Sequence, residues 1–118
     1  MATAIVLGTL ALLTLLTATP IEARPAARWH PPTYPLTSWY QDTAKACPGY
    51  YGIHAWGVAH RTLPCGTRLR LSYHGRTTWT RVIDRGPYIY GRSLDLHAPV
   101  ARALGFSGVG RVKMEVRR

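Results

Sequence analysis

The chain has 118 residues, 47% of them hydrophobic, and carries 15 Lys and Arg against 5 Asp and Glu, a formal net charge of +10 at pH 7. That length holds one small domain, and the cationic excess suits contact with a polyanion. Its two cysteines and five histidines lack the paired-ligand spacing of a structural zinc site, so neither a metal nor another cofactor is expected.

The first eighteen residues are almost wholly apolar, with residues 4–16 as the core of the run. The run is shorter than the roughly 20 residues a membrane span needs and has the length of a signal-peptide core, although no Lys or Arg precedes it. A cleavage site follows Ile21, Glu22 and Ala23. The reading is an exported protein with a signal at 1–23; a retained N-terminal membrane anchor is the alternative. No Cys stands at the end of the run, so lipidation is not expected. Loss of Glu22 leaves 15 − 4 = +11 on the exported form. Residues 24–36 hold Pro25, Pro31, Pro32 and Pro35 without apolar periodicity, the pattern of a stiff, extended leader.

The domain is expected over 37–118. Thr37, Ser38, Trp39 and Tyr40 form a short first strand. Residues 56–60 form a second, ended by Leu63 and Pro64. In 67–73, Leu69, Leu71 and Tyr73 share one face, with Arg68, Arg70 and Ser72 on the other. His74 and Gly75 make a tight hairpin, and 76–84 return as a strand that Gly86 and Pro87 break. Residues 94–96 form a short strand, and 98–104 a short helix with Pro99 in its first turn and Gly105 at its end. Val112, Met114 and Val116 alternate with charged residues in a last strand. The result is a mainly β, six-stranded small barrel with one short helix. Cys47 and Cys65 are the only cysteines, and in an oxidising compartment they pair. Closing a loop of that length is worth about 3 kcal/mol on a chain-entropy estimate.

Three blocks concentrate the chemistry. The first runs Gly57-Val58-Ala59-His60-Arg61-Thr62-Leu63-Pro64-Cys65-Gly66-Thr67. The second is Val82-Ile83-Asp84-Arg85-Gly86-Pro87-Tyr88, and the third Gly91-Arg92-Ser93-Leu94-Asp95-Leu96. In this order, and preceded by Ser38-Trp39-Tyr40, they resemble the double-psi β-barrel domain of the rare lipoprotein A (RlpA) family, relatives of the expansins. Gln41 stands where that family usually has Gly. The resemblance implies the double-psi barrel and a place in bacterial cell-wall chemistry.

It also implies roles. Asp84 matches the family's catalytic acid; on sequence alone it is a turn residue accepting hydrogen bonds. Asp95 is either a cap near the helix or a second carboxylate of the polysaccharide groove. His60 is either a buried barrel histidine or the family's functional histidine, orienting the acid or a sugar hydroxyl. Trp39, Tyr40, Trp56, Tyr88 and Tyr90 are the candidate sugar-facing aromatics, each with core packing as its alternative. Arg85 either binds a substrate carboxylate or neutralises Asp84. Active members of the family carry a Glu roughly eleven residues before the His. Here that place falls near Gly49, and residues 43–83 hold no acid.

The activity implied is that of an endolytic lytic transglycosylase. One acid protonates the glycosidic oxygen between muramic acid and glucosamine units, and the sugar's own 6-hydroxyl then closes a 1,6-anhydro ring. A non-catalytic, expansin-like wall-binding module is the other reading. The expected partners are peptidoglycan glycan strands and anionic wall polymers, not nucleic acid, with the chain a monomer. The alternative source of the charge is Arg-rich coding, since Arg outnumbers Lys 13 to 2 and Asn is absent.

Overall fold

The computed structural model describes residues 2–5, 8–18, 28–50 and 52–118. The strands are β1 (Leu36–Tyr40), β2 (Val58–Ala59), β3 (Arg68–Tyr73), β4 (Arg76–Asp84), β5 (Leu94–His97), β6 (Gly110–Arg111) and β7 (Lys113–Val116), with one helix, α1 (Ala98–Leu104), between β5 and β6. They pair in the order β6-β1-β5-β2-β4-β3-β7. The two strands at the ends of that order are neighbours in the chain, separated only by Val112. This brings the two edges together and makes the sheet a nearly closed barrel, which removes exposed edges. Alternation alone suggested a single last strand. The barrel splits it, because Gly110 and Arg111 pair with β1 while 113–116 pair with β3. Among the described residues the barrel has seven strands where six were expected.

Apolar alternation decides which side of each strand faces inward. Leu69 and Leu71 of β3, Val82 of β4, and Leu94 and Leu96 of β5 are fully buried, and they meet Val58, Val112 and the Val100–Leu104 side of α1 in one core. The helix begins with Pro in its first turn and ends at Gly105, whose φ of 64° is left-handed; its N–H donates to the carbonyls of Ala101 and Arg102. Residues 28–33 lie antiparallel to the end of the chain, with Trp29 opposite Arg117 and Thr33 opposite Met114. The described residues before position 18 have no regular structure and their leucines are exposed. The expected cleavage site after Ala23 lies outside the described residues. No helix among those described is long and apolar enough to cross a membrane.

One irregularity interrupts the β2–β4 pair. On the β2–β4 pair, Val58 is opposite Val82 but Ala59 is opposite Asp84, so Ile83 is an extra, bulged residue. Val82 and Ile83 are consequently both fully buried, and Asp84 is turned to the side that Ala59 occupies. Ile83 fits only because Gly57 has no side chain: a Cβ there would lie 2.5–2.6 Å from three Ile83 carbons. The disulfide between Cys47 and Cys65 closes a separation of 18 residues across the same region, and the Cys47 N–H donates to the Ile83 carbonyl at 3.1 Å. Gly57→Ala should therefore destabilise the domain by about 1–3 kcal/mol, the usual range for overpacking. Urea unfolding measures this. In the double variant with Ile83→Ala the two losses should be clearly sub-additive, because the clash is between these two residues.

Candidate active site

Four strands set one row of side chains across the barrel wall. Ser38 of β1 is opposite Asp95 of β5, Asp95 is opposite Ala59 of β2, and Ala59 is opposite Asp84 of β4. The two carboxylates thus flank the small side chain of Ala59, with His60 the next residue in the chain. Sequence spacing could not reveal this, since Asp84 reaches the row only through the bulge at Ile83.

Asp84 is held by three donors. The Tyr40 hydroxyl donates to Oδ2 at 2.8 Å, while the backbone N–H groups of Ala46 and Arg85 donate to Oδ1 at 2.8 and 2.9 Å. Burial, followed by this hydrogen bond and the Asp84 charge, drives the Tyr40 hydroxyl far above the usual tyrosine range, so it remains a proton-bearing donor. Asp95 has one donor, the Ser38 hydroxyl at 3.1 Å to Oδ1. Burial pushes the Asp95 carboxyl up to about 6 against the opposing effects of Ser38 and Arg92, and the Asp84 charge adds to the rise. Two carboxylates in one row therefore have different environments.

His60 has its Nδ1 turned into its own turn, accepting the N–H groups of Thr62 at 3.2 Å and Leu63 at 3.0 Å. An accepting Nδ1 places the proton of the neutral ring on Nε2. Burial, then the Arg61 and Arg85 charges, lowers its pKa below the usual histidine value, so the ring is neutral at pH 7 and can donate through Nε2.

The Arg85 guanidinium is turned toward the turn that follows His60. Its Nη1 donates to the carbonyls of His60 and Leu63 at 3.0 and 2.6 Å, and its Nη2 lies 3.4 Å from Cys65 Sγ. It braces the loop that carries His60. Arg61 ties that loop to the next by donating to the Pro87 carbonyl at 3.1 Å. Past the cis Gly86–Pro87 bond, Tyr88 and Tyr90 are 78% and 101% exposed, with their rings committed to nothing in the barrel. Trp39 is not with them. It lies on the other side of β1 from Ser38 and Tyr40, where it lines a cavity of about 120 Å³ with Phe106 and helix residues Ala98, Ala101 and Arg102. Trp56 is also elsewhere, its Nε1–H donating to the Trp79 carbonyl.

Three participants were not among the candidate site residues. Ser38 and Ala46 act through a register and a backbone N–H. His97 is fully buried, with Nδ1 2.6 Å from the Ala55 carbonyl and Nε2 3.4 Å from the Asp42 N–H, clamping the loop before β2. Among the described residues no cluster of His, Cys, Asp and Glu could hold a metal.

The family described as lytic transglycolase matches residues 35–116. A probable endolytic peptidoglycan transglycosylase RlpA of Synechocystis is 38% identical over 95 residues, covering 69% of this chain and 28% of the relative. A Nostoc protein of the same description is 47% identical over 56% of this chain and 19% of its own length. The endolytic peptidoglycan transglycosylase RlpA of Pseudomonas aeruginosa is 35% identical over 66% of this chain and 25% of its own. The chain thus spans less than a third of these three relatives. Among solved structures, the Streptomyces papain inhibitor matches with a TM-score of 0.54 at 23% identity, over 75% of this chain and 96% of the inhibitor, a likeness of fold. With the family matched from β1 to the last strand, this chain belongs to the RlpA-like double-psi β-barrel family.

Proposed function

We propose that this protein is an exported cell-wall enzyme, a lytic transglycosylase that cuts peptidoglycan glycan strands. The observation that carries the reading is the row Ser38–Asp95–Ala59–Asp84 beside a neutral His60. The described activity of the RlpA relatives supports the same substrate. The two acids divide the work. Asp95, with a carboxyl near 6 and a single donor, keeps its proton in mildly acidic conditions and delivers it to the glycosidic oxygen. Asp84, surrounded by three donors, presents its carboxylate to the positive charge that develops on the ring. The conjugate base of Asp95 then takes the proton of the muramic 6-hydroxyl as that oxygen closes the anhydro ring, so no external water is consumed. His60 donates through Nε2 to a sugar oxygen, and Tyr88 and Tyr90 offer their exposed faces to neighbouring sugars. The sequence expectation gave the proton to Asp84; the raised carboxyl of Asp95 makes it the donor in this reading.

A non-catalytic wall binder is the second reading. One observation favours it: the family's additional Glu falls near Gly49, an exposed turn residue with φ of 86°, and nothing from 43 to 83 is acidic.

Incubation of the protein with purified sacculi, followed by mass spectrometry, separates the readings. The enzyme releases fragments ending in 1,6-anhydro rings; a hydrolase gives reducing ends; a binder is retained and releases nothing. Asp84→Asn and Asp95→Asn should each reduce release by about a hundredfold or more, the lower range for loss of an acid–base group. His60→Ala should leave measurable turnover. Activity should fall as pH rises through about 6, where Asp95 loses its proton.

The Asp95 environment can be tested without activity. A carboxyl raised by burial makes the folded state less favourable once it ionises. Asp95→Asn keeps the acceptor for Ser38 and removes that ionisation. Relative to this variant, wild type should lose thermal stability between about pH 4 and pH 6, from its unfolded to its folded pKa, and hold a constant difference above. Parallel melting curves across that window would remove Asp95 as the proton carrier.

A further inference from the structure

Against the β3–β4 hairpin lies a cavity of about 330 Å³, within the size range of small-ligand sites. Three of the chain's four tryptophans line it, Trp29, Trp56 and Trp79, together with Arg68, Arg81 and Arg117. It shares no lining residue with the Asp84 and Asp95 row.

Its walls are fixed in advance. The Trp56 Nε1–H donates to the Trp79 carbonyl at 2.8 Å, and Trp29 and Trp79 meet edge to face with centroids 5.1 Å apart. Behind them the Arg70 guanidinium lies 4.7 Å from the Trp29 ring and 5.5 Å from the Trp79 ring, held by a two-pronged bond to Glu115 at 3.0 and 2.6 Å. Even so, Trp79 is 58% exposed and Trp56 40%. Large flat apolar faces are thus held rigid and left open.

The charges are unbalanced. Arg68 and Arg81 are direct partners across the two strands, an arrangement of like charges that destabilises a sheet. Arg117 joins them, its backbone N–H donating to the Arg68 carbonyl. Glu115, the only acid of the neighbouring strand, is taken by Arg70. Among the described residues no carboxylate is within salt-bridge distance of Arg68, Arg81 or Arg117. Thr80, 6% exposed and also lining the cavity, has a hydroxyl with no hydrogen-bond partner. An anion held between the arginines removes the repulsion, and a polar ligand gives Thr80 a partner.

We propose that this cavity is a second binding site, for an acidic sugar whose ring stacks on Trp79 and whose anionic group sits between Arg68 and Arg81. The anion site stands on the arginines themselves; the choice of a sugar rests on the proposed action on wall glycans. Carboxylate and phosphate share the chemistry, so both are tested.

Tryptophan fluorescence and calorimetry on the whole protein measure binding of N-acetylmuramic acid, glucose 6-phosphate, neutral N-acetylglucosamine and a short oligothymidine. At least one acidic sugar should bind about tenfold more tightly than the neutral sugar, the fold-change expected for one charge-assisted contact, and quench the fluorescence. Which of the two binds more tightly identifies the anion. Arg81→Gln should remove that preference while leaving the melting temperature unchanged or higher, since it relieves the Arg68–Arg81 repulsion. Trp79→Ala should weaken acidic and neutral sugars alike. Asp84→Asn should bind as wild type does, whether or not the protein cuts sacculi. Acidic sugars binding no better than the neutral one, a preference that survives Arg81→Gln, or one lost with Asp84→Asn overturns the proposal. Oligothymidine binding more tightly than either acidic sugar, and lost with Arg81→Gln, overturns the choice of a sugar.

Discussion

The contact between Ile83 and the bare Cα of Gly57 is the constraint on which the rest of the site depends. A regular β4 would alternate Val82 inward, Ile83 outward and Asp84 inward, placing a carboxylate in the apolar core. The extra residue changes that phase by one. Both Val82 and Ile83 become buried, and Asp84 joins Ala59 and Asp95 on the other side. The bulge is held from two directions. Cys47 donates its N–H to Ile83 and is tied to Cys65, while the His60 N–H donates to the Asp84 carbonyl. The disulfide therefore does more than restrict the unfolded chain. It fixes the loop whose Ala46 N–H is one of the three donors to Asp84.

From this follows the inequality of the two acids. They occupy one row, and the Asp84 charge helps raise the Asp95 carboxyl, yet their surroundings differ. Asp84 sits where two loop N–H groups and a tyrosine converge, whereas Asp95 has Ser38 alone and lies half-buried between strands. Separation of carboxyl environments is what allows one group to donate a proton while the other carries charge. Tyr40 contributes to both sides, since its hydroxyl supports Asp84 and its strand places Ser38, two residues earlier, against Asp95.

Much of this was legible in the sequence because much of the fold is periodic. The alternation in 67–73, the turn at His74 and Gly75, and the helix between Pro99 and Gly105 each follow from local preference. The adjacency of Val82 and Ile83 was also present, as a break in alternation, but a break alone does not say which neighbour is displaced. Side-chain direction at the site was not legible. Arg85 directly follows Asp84 in the chain. Successive residues diverge, and its guanidinium meets the carbonyls of His60 and Leu63. Trp39 and Tyr40 were both candidates for their flat apolar rings, and as neighbours on a strand they face opposite ways. Trp29, Trp56 and Trp79 are far apart in sequence, and only the barrel brings them together.

The scarcity of acids gives the final step. The structure commits Glu115 to Arg70, and Asp42 to its own turn, where Oδ1 accepts the Thr43 and Ala44 N–H groups. Of the acids in the barrel, Asp84 and Asp95 alone face one another across a short strand. The position near Gly49 offers no third carboxylate, but the loop that contains it is not idle: Ala46 supplies a fixed dipole to Asp84, and His97 and the disulfide hold the segment in place. Strand β4 links the Asp84–Asp95 row to the cationic cavity, with Trp79, Thr80 and Arg81 in its middle and Asp84 at its end. A glycan spanning both would meet aromatic faces and arginines at one end and the paired carboxylates at the other. On the proposed action on wall glycans, binding energy gained there, away from the reacting bond, positions the sugar at the two carboxylates.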